Sequence, residues 1–157
     1  MANKIYLAAP FFSDGQHDRI SQVLDALKQN PTIGKIFEPE KHPYTKDEFG
    51  SLGWQDAVFK LDANHIYQAD AIVAIADYKK EDNPDNEMDS GTAFELGLAY
   101  GCHVPIALVQ FDPKKELNLM VSRGITAYFD ASKDGLKDLA AYDFDVMMPN
   151  RPDRPVI

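Results

Sequence analysis

The chain has 157 residues, enough for one domain with a sizeable hydrophobic core. Its hydrophobic content of 45% and charged content of 26% are ordinary for a soluble globular protein. A formal net charge of -9 argues against nucleic acid or an anionic membrane as the main partner, because either would favour a basic face.

The sequence also indicates a compartment. No apolar run is long enough to span a bilayer, and an apparent core strand begins at Lys4, which leaves no room for a signal peptide. Cys102 is the only cysteine, so an internal disulfide is impossible, and we expect Cys102 to pack as a small buried hydrophobic residue. These features predict a cytoplasmic protein whose residues 1–157 form a single domain.

The first half of the chain predicts two strands and two helices. Residues 4–9 are an apolar run that Pro10 stops, as is typical of a buried strand. Ser13 or Asp14 can cap a helix with apolar residues at helical spacing, which Asn30 and Pro31 end. A short strand is predicted at residues 35–37, followed by a long loop over 38–53 and a helix over 54–66.

The second half continues the alternation of strands and helices. Asp70 is predicted as a loop-bonding residue before a central strand at 71–76, and residues 77–89 form an acidic connection. We expect a helix from Asp89 or Ser90 to Gly101, with Gly101 closing it in the left-handed conformation. Further strands are predicted at 104–109 and 125–129, with helices opening at 118 and covering 132–141, and an extended tail from Pro149.

This alternation predicts an α/β fold. We expect a doubly wound five-stranded parallel sheet, flavodoxin-like or Rossmann-like, with helices on both faces. Ligands in such folds bind at the carboxyl ends of the strands. The loops after the first, third and fourth strands would converge there.

The helix that starts near Asp89 carries one carboxylate, Glu95, among apolar or small residues. Such a helix is expected to be buried on nearly all sides. Burial of a carboxylate is costly unless it is paired or hydrogen-bonded, and it raises the pKa of the group. The residues alone leave open whether Glu95 is a functional group or a salt-bridged glutamate at the rim of the helix.

Asp62 is a second carboxylate in an unexpected place. It lies four residues from both Val58 and Ile66, and therefore on the apolar stripe of its helix. The alternative is a structural aspartate at the edge of the stripe, bonded to backbone or to His65.

Several common motifs are absent. The sequence contains neither G-x-x-x-x-G-K-[ST] nor G-x-G-x-x-G, and its four histidines form no metal-ligand spacing with each other or with Cys102. We therefore predict no metal and no cofactor. A phospho-accepting receiver domain could use Asp77, but it would also need acidic residues after the first strand and a lysine after the fifth, which the sequence lacks.

Two carboxylates suit cleavage of a glycosidic bond, in which one attacks the anomeric carbon and an acid protonates the leaving group. Five features of the chain together resemble the nucleoside 2-deoxyribosyltransferase family. They are IYLAAPFF at residues 5–12, Asp62 eight residues before Asp70, DSGTAFELG at 89–97, Asn118-Leu119-Met120 followed by Gly124, and the overall length.

The resemblance implies a role for each matching residue. Glu95 would attack C1′ of a 2′-deoxyribonucleoside, Asp62 would handle the proton of the base, and Tyr6 would orient Glu95. The substrate-binding residues would be Asp89 and Asn118 at the sugar hydroxyls, Phe12 at the base, and Met120. Family members are homo-oligomers, and Asn118 and Met120 would reach the site of a neighbouring subunit. The ligands would be 2′-deoxyribonucleosides and free nucleobases.

Two other functions stay open. Relatives of similar fold hydrolyse 2′-deoxynucleoside 5′-monophosphates, although Asp89 places negative charge where a helix amino end would otherwise attract phosphate. A non-catalytic nucleoside-binding module is the second. Some members also carry a base-contacting glutamine in the loop after the second strand, where this chain has residues 41–44 (KHPY), so the preference for purine or pyrimidine is open.

Overall fold

The computed structural model describes residues 2–78 and 88–157. Most of the predicted acidic connection, residues 79–87, lies outside the described part. The strands are β1 Asn3–Ala8, β2 Ile33–Phe37, β3 Ala71–Ile75, β4 Ile106–Gln110 and β5 Ala127–Asp130. The helices are α1 Asp14–Gln29, α2 Leu52–Tyr67, α3 Ser90–Gly101, α4 Leu119–Gly124 and α5 Gly135–Ala141, and a 3-10 turn covers Pro39–Lys41.

The strands form one parallel sheet in the order β2-β1-β3-β4-β5. The predicted fold class is confirmed. The strand order reverses between β1 and β3, and the loops that follow these two strands meet at the carboxyl edge, where such folds bind ligands.

Two hydrophobic layers cover the sheet. On one face, Ile5 and Leu7 of β1 pack with α1 and α5. On the other face, Tyr6 and Ala8 pack with residues of α2, α3 and α4. Because successive side chains of a strand point to opposite faces, the alternation along β1 places Tyr6 under α2 and α3.

Helix starts follow the caps that the sequence suggests. The Ser13 side chain accepts a hydrogen bond from the backbone of Gln16, Asp89 caps α3, and Asn118 caps α4. Ser51 caps α2, which therefore begins two residues before the predicted start at Trp54.

The prediction that α3 is buried nearly all round is wrong. Its buried residues, Thr92, Leu96 and Ala99, form the stripe that faces the sheet. Phe94 and Tyr100 are 55% and 64% exposed. A helix on one face of a sheet buries only one stripe within its own chain, so apolar residues on its other side belong to the molecular surface.

The end of α3 also differs from the prediction. Gly101 is the last helical residue, and His103 takes the left-handed conformation with φ 61°. Cys102 caps the helix through its backbone N–H and is exposed rather than buried, because it lies in the turn that leaves the helix.

Two aspartates on either side of β3 have structural partners. Asp70 accepts a hydrogen bond from the Lys4 backbone at 2.8 Å, as predicted for a loop-bonding residue. Asp77 is buried and accepts from the backbone N–H groups of Phe111 and Asp112 at 2.6 and 2.8 Å. Both N–H groups belong to the loop after β4, so Asp77 ties that loop to the end of β3.

Candidate active site

Glu95 and Tyr6 form the centre of the candidate site. Tyr6 is fully buried in β1, and its hydroxyl donates a short hydrogen bond to Oε1 of Glu95 in the middle of α3. Burial raises the pKa of Tyr6, and the adjacent Glu95 raises it further, so the tyrosine stays a neutral donor. The bond fixes one oxygen of the carboxylate, and Oε2 has no hydrogen-bond partner among residues 2–78 and 88–157.

The environment of Glu95 makes it a proton-binding carboxylate near neutral pH. Desolvation by burial raises its pKa to about 7, although the hydrogen bond from Tyr6 opposes this shift. The negative charges of Asp62 and Asp89 add to the increase. A glutamate with this pKa is typical of a functional site rather than of a surface ion pair.

Asp62 of α2 lies beside this pair. Burial raises its pKa to about 6, and its charge acts on both Tyr6 and Glu95. Within residues 2–78 and 88–157 the side chain of Asp62 has no hydrogen bond or ion pair, so neither the described backbone nor His65 accounts for its position. Both carboxylates are partly exposed, which leaves them accessible to a ligand.

Asp89 approaches the same region from the amino end of α3. Its Oδ2 accepts hydrogen bonds from the Thr92 backbone at 2.8 Å and from the Thr92 hydroxyl at 3.1 Å. Oδ1 has no partner in the described part of the chain. The residue therefore caps the helix and keeps one oxygen available close to Glu95.

Asn118 and Met120 lie on the side of α3 opposite to Glu95. Together with Ala93 they line a cavity of about 760 Å³ between α3 and the loop after β4. Ala93 and Glu95 are two residues apart on a helix and so point in nearly opposite directions. Within one chain, the structure brings Tyr6, Asp62, Asp89 and Glu95 together and leaves Asn118 and Met120 apart from them.

Phe12 lies in the loop after β1, at the carboxyl edge of the sheet. The residue is 61% exposed, and its ring contacts that of Phe11, with ring centroids 4.9 Å apart. Its backbone N–H donates to the side chain of Gln16. Phe12 is thus at the edge of the site rather than in contact with the carboxylates.

The structure adds an aromatic stack that the sequence does not reveal. Phe37 at the end of β2 stacks on Tyr6, on His42 and on His65, with centroid distances of 5.6, 4.5 and 3.6 Å. Desolvation lowers the pKa of His65, and the nearby His42 and Lys35 lower it further. These residues come from β2, its following loop and α2, so no spacing along the chain could have grouped them.

Residues 2–78 and 88–157 contain no cluster of three or more histidine, cysteine or acidic side chains that could hold a metal ion. Among the helices of those residues, none combines the length and the apolarity needed to cross a membrane.

The doubly wound parallel sheet and the desolvated carboxylate pair above it are typical of an α/β enzyme that uses nucleophilic or acid–base chemistry. Residues 5–151 match the family described as nucleoside 2-deoxyribosyltransferase. A nucleoside deoxyribosyltransferase of Limosilactobacillus fermentum is 36% identical over 140 residues, which cover 81% of this chain and 79% of that protein. One from Lactobacillus leichmannii is 30% identical over 131 residues, 74% of this chain and 76% of that protein.

A solved structure agrees with these relatives. The 2-deoxyribosyltransferase of Bacillus psychrosaccharolyticus superposes with a TM-score of 0.79 at 34% identity, covering 95% of this chain and 98% of that one. The chain belongs to the nucleoside 2-deoxyribosyltransferase family. It is an enzyme of the transferase class.

Proposed function

We propose that this enzyme exchanges the nucleobase of 2′-deoxyribonucleosides by double displacement, with Glu95 as the nucleophile. The observation that carries the proposal is the desolvated Glu95 carboxylate, held through one oxygen by Tyr6 and placed beside Asp62. Such a group is preorganised for attack because its orientation is fixed before the substrate arrives.

In the first half-reaction, Oε2 of Glu95 forms a bond to C1′ while the bond from C1′ to the base nitrogen breaks. The bonding electrons leave with the base, and protonated Asp62 supplies a proton to it. The product is a deoxyribosyl ester of Glu95 with inverted configuration at C1′.

In the second half-reaction, a nitrogen of another base attacks C1′ and the ester bond breaks, which returns the electrons to Glu95. Asp62, now ionised, takes the proton that the incoming base loses. Two inversions give net retention, and water in place of a base would give hydrolysis.

The oligomeric part of the proposal rests on the position of Asn118. Asn118 and Met120 lie across α3 from Glu95, and Met120 is 76% exposed. In the proposed site, a second copy of the chain brings these two residues to the carboxylates. We therefore propose a homo-oligomer whose sites combine residues of two subunits, with Asp89 and Asn118 at the sugar hydroxyls and Phe12 and Met120 near the base. Cytoplasmic location stays a prediction.

Hydrolysis of 2′-deoxynucleoside 5′-monophosphates is the main alternative. It would need a site for the 5′-phosphate, and the amino end of α3 is a natural anion site. Asp89 occupies that end with a carboxylate, which disfavours phosphate there. The free nucleoside is therefore the better substrate.

The test is a product assay with thymidine and free adenine. Formation of deoxyadenosine supports transfer, whereas thymine and free deoxyribose alone would indicate a hydrolase. The assay is repeated with deoxyinosine and adenine, because a purine-specific enzyme would ignore thymidine, and with thymidine 5′-monophosphate to test the phosphate requirement. Glu95→Ala should abolish the reaction, and Glu48→Ala, at an exposed position, is the matched control.

A further inference from the structure

Gln16 is a buried polar residue that the proposed mechanism does not use. It occupies the third position of α1, three residues after the cap Ser13, and is only 1% exposed. In a capping box, a glutamine at this position would bond the backbone of the cap residue itself. Here Oε1 of Gln16 accepts instead from the backbone N–H of Phe12, one residue earlier, at 2.5 Å.

The other end of the same amide reaches a different loop. Nε2 of Gln16 donates to the backbone carbonyl of Tyr78, just after β3, at 2.6 Å. β1 and β3 are the neighbouring strands at which the strand order reverses. The amide therefore joins the two chain segments that leave the sheet at the ligand-binding edge.

Both bonds are protected from water because Gln16 is buried. Replacing the amide would leave the Phe12 N–H or the Tyr78 carbonyl without this partner, which costs more in a buried place than at the surface. The ring of Phe12, in contrast, stays open to a ligand.

We propose that Gln16 is a positioning residue for the nucleobase: it holds the backbone of Phe12 at a fixed place relative to the segment that leaves β3. The proposal rests on the proposed function, because it assigns Phe12 to the base. Gln16 itself touches neither substrate nor the reacting atoms. Replacement of Gln16 should therefore weaken binding of the base more than it lowers the rate of the chemistry at Glu95.

Two substitutions separate the bonds. Gln16→Met keeps the approximate length of the side chain and removes both hydrogen bonds. Gln16→Glu can keep both bonds when it is protonated, since the acid accepts from Phe12 and donates to Tyr78, but it loses the donor when it ionises. Gln22→Met is the matched control, because Gln22 is an exposed glutamine on the same helix.

The experiment measures kcat and KM for the accepting base in the transfer reaction, together with Tm, at pH 5.5 and 8. We expect Gln16→Met to raise KM about tenfold while kcat changes less than about threefold. The control variant should match the wild type. The KM of Gln16→Glu, relative to the wild type at the same pH, should be close to normal at pH 5.5 and raised at pH 8.

An unchanged KM in Gln16→Met, or a lowered Tm as its only effect, would overturn the inference. If Gln16→Met does not fold, the pH dependence of Gln16→Glu decides: a KM ratio to the wild type that is the same at both pH values overturns it. Absence of transfer by the wild type would instead contradict the proposed function, so the two failures are distinguishable.

Discussion

Glu95 illustrates how burial can prepare a carboxylate for reaction and at the same time lower the stability of the folded protein. Burial favours its protonated form, whereas attack on a sugar needs its ionised form, and the hydrogen bond from Tyr6 favours ionisation. In the proposed mechanism Asp62 has the complementary requirement, because only its protonated form can assist departure of the base. With pKa values of about 7 and 6, the two carboxylates titrate together.

The raised pKa of Glu95 predicts a pH-dependent effect on stability. The folded protein binds this proton more tightly than the unfolded chain, so the contribution of Glu95 to stability falls as pH rises from about 4.5 to about 7. Glu95→Gln should therefore raise Tm at pH 8, by the equivalent of roughly 3 kcal/mol at most, and change it little at pH 5. Thermal unfolding at the two pH values is the measurement. Equal changes at both would contradict the assigned protonation, and Glu48→Gln should show no effect.

The role of Asp62 predicts dependence on the leaving base. Asp62→Asn removes the acid, so the first half-reaction should slow by about 10²–10⁴-fold for a base that needs protonation to depart. The loss of rate should be much smaller for a nucleoside whose leaving base is 5-fluorouracil, because this base leaves readily as an anion. Single-turnover rates measure both cases, with Asp56→Asn at an exposed position of α2 as the control. Equal slowing of both substrates would remove Asp62 from this role.

Single residues were predictable where their chemistry conflicted with their surroundings. Glu95 and Asp62 were noticeable because a carboxylate among apolar residues at helical spacing is unusual. Tyr6 looked like any core residue until the resemblance assigned it a role. The role proposed for Gln16 and the stacking of His65 were missed because their partners lie on other elements, although the S-x-x-Q spacing after Ser13 was a visible signal for Gln16.

At the scale of elements, hydrophobic periodicity together with cap, glycine and proline residues predicted all five strands and all five helices. Most predicted ends lie within about two residues of the observed ends. The alternation of the elements predicted a doubly wound parallel sheet but not the order of its strands. The prediction for the end of α3 was wrong because glycine is preferred, but not required, in the left-handed conformation, which His103 adopts here. The exposure of α3 was wrong because apolar composition does not distinguish a core from a surface that other chains can cover.

The junction of β5 and α5 gives a prediction for an element. A Cβ added at Gly135 would lie 2.6 Å from the backbone nitrogen of Asp130 and closer still to its carbonyl group, where no flexible side chain can yield. Gly135→Ala should lower Tm by roughly 5 °C or more. Gly101→Ala is the control, since nothing lies within 4 Å of its added Cβ. A normal Tm for Gly135→Ala in thermal unfolding would contradict this packing.

For the whole molecule, the separation of the expected site residues is the main structural result. The carboxylates face one side of α3, whereas Asn118 and Met120 face the other. Exposed aromatic residues lie on the same helix, as expected for a surface that a second copy covers. The family resemblance implied this separation, because it assigns Asn118 and Met120 to a neighbouring subunit. The spacing of residues along the chain could not reveal it, because it depends on which side of α3 each element packs against.

Shared sites predict complementation between inactive variants. Glu95→Ala and Asn118→Ala should each be strongly impaired alone. Subunits mixed after dissociation and reassociation should regain up to about a quarter of wild-type activity if pairs form at random and each site needs both residues intact. The assay is base exchange before and after mixing, with Glu48→Ala mixed with the wild type as a control. Failure to regain activity in a demonstrably mixed oligomer would contradict shared sites.

The covalent intermediate is the central claim, and mass spectrometry tests it most directly. Protein quenched with acid during turnover of a 2′-deoxyribonucleoside, without acceptor base, is digested and its peptides are weighed. The account predicts one deoxyribosyl ester on the peptide that contains Glu95, absent from Glu95→Ala and lost when free base is added before the quench. Base exchange without any adduct at Glu95, or with the adduct on another side chain, would contradict it.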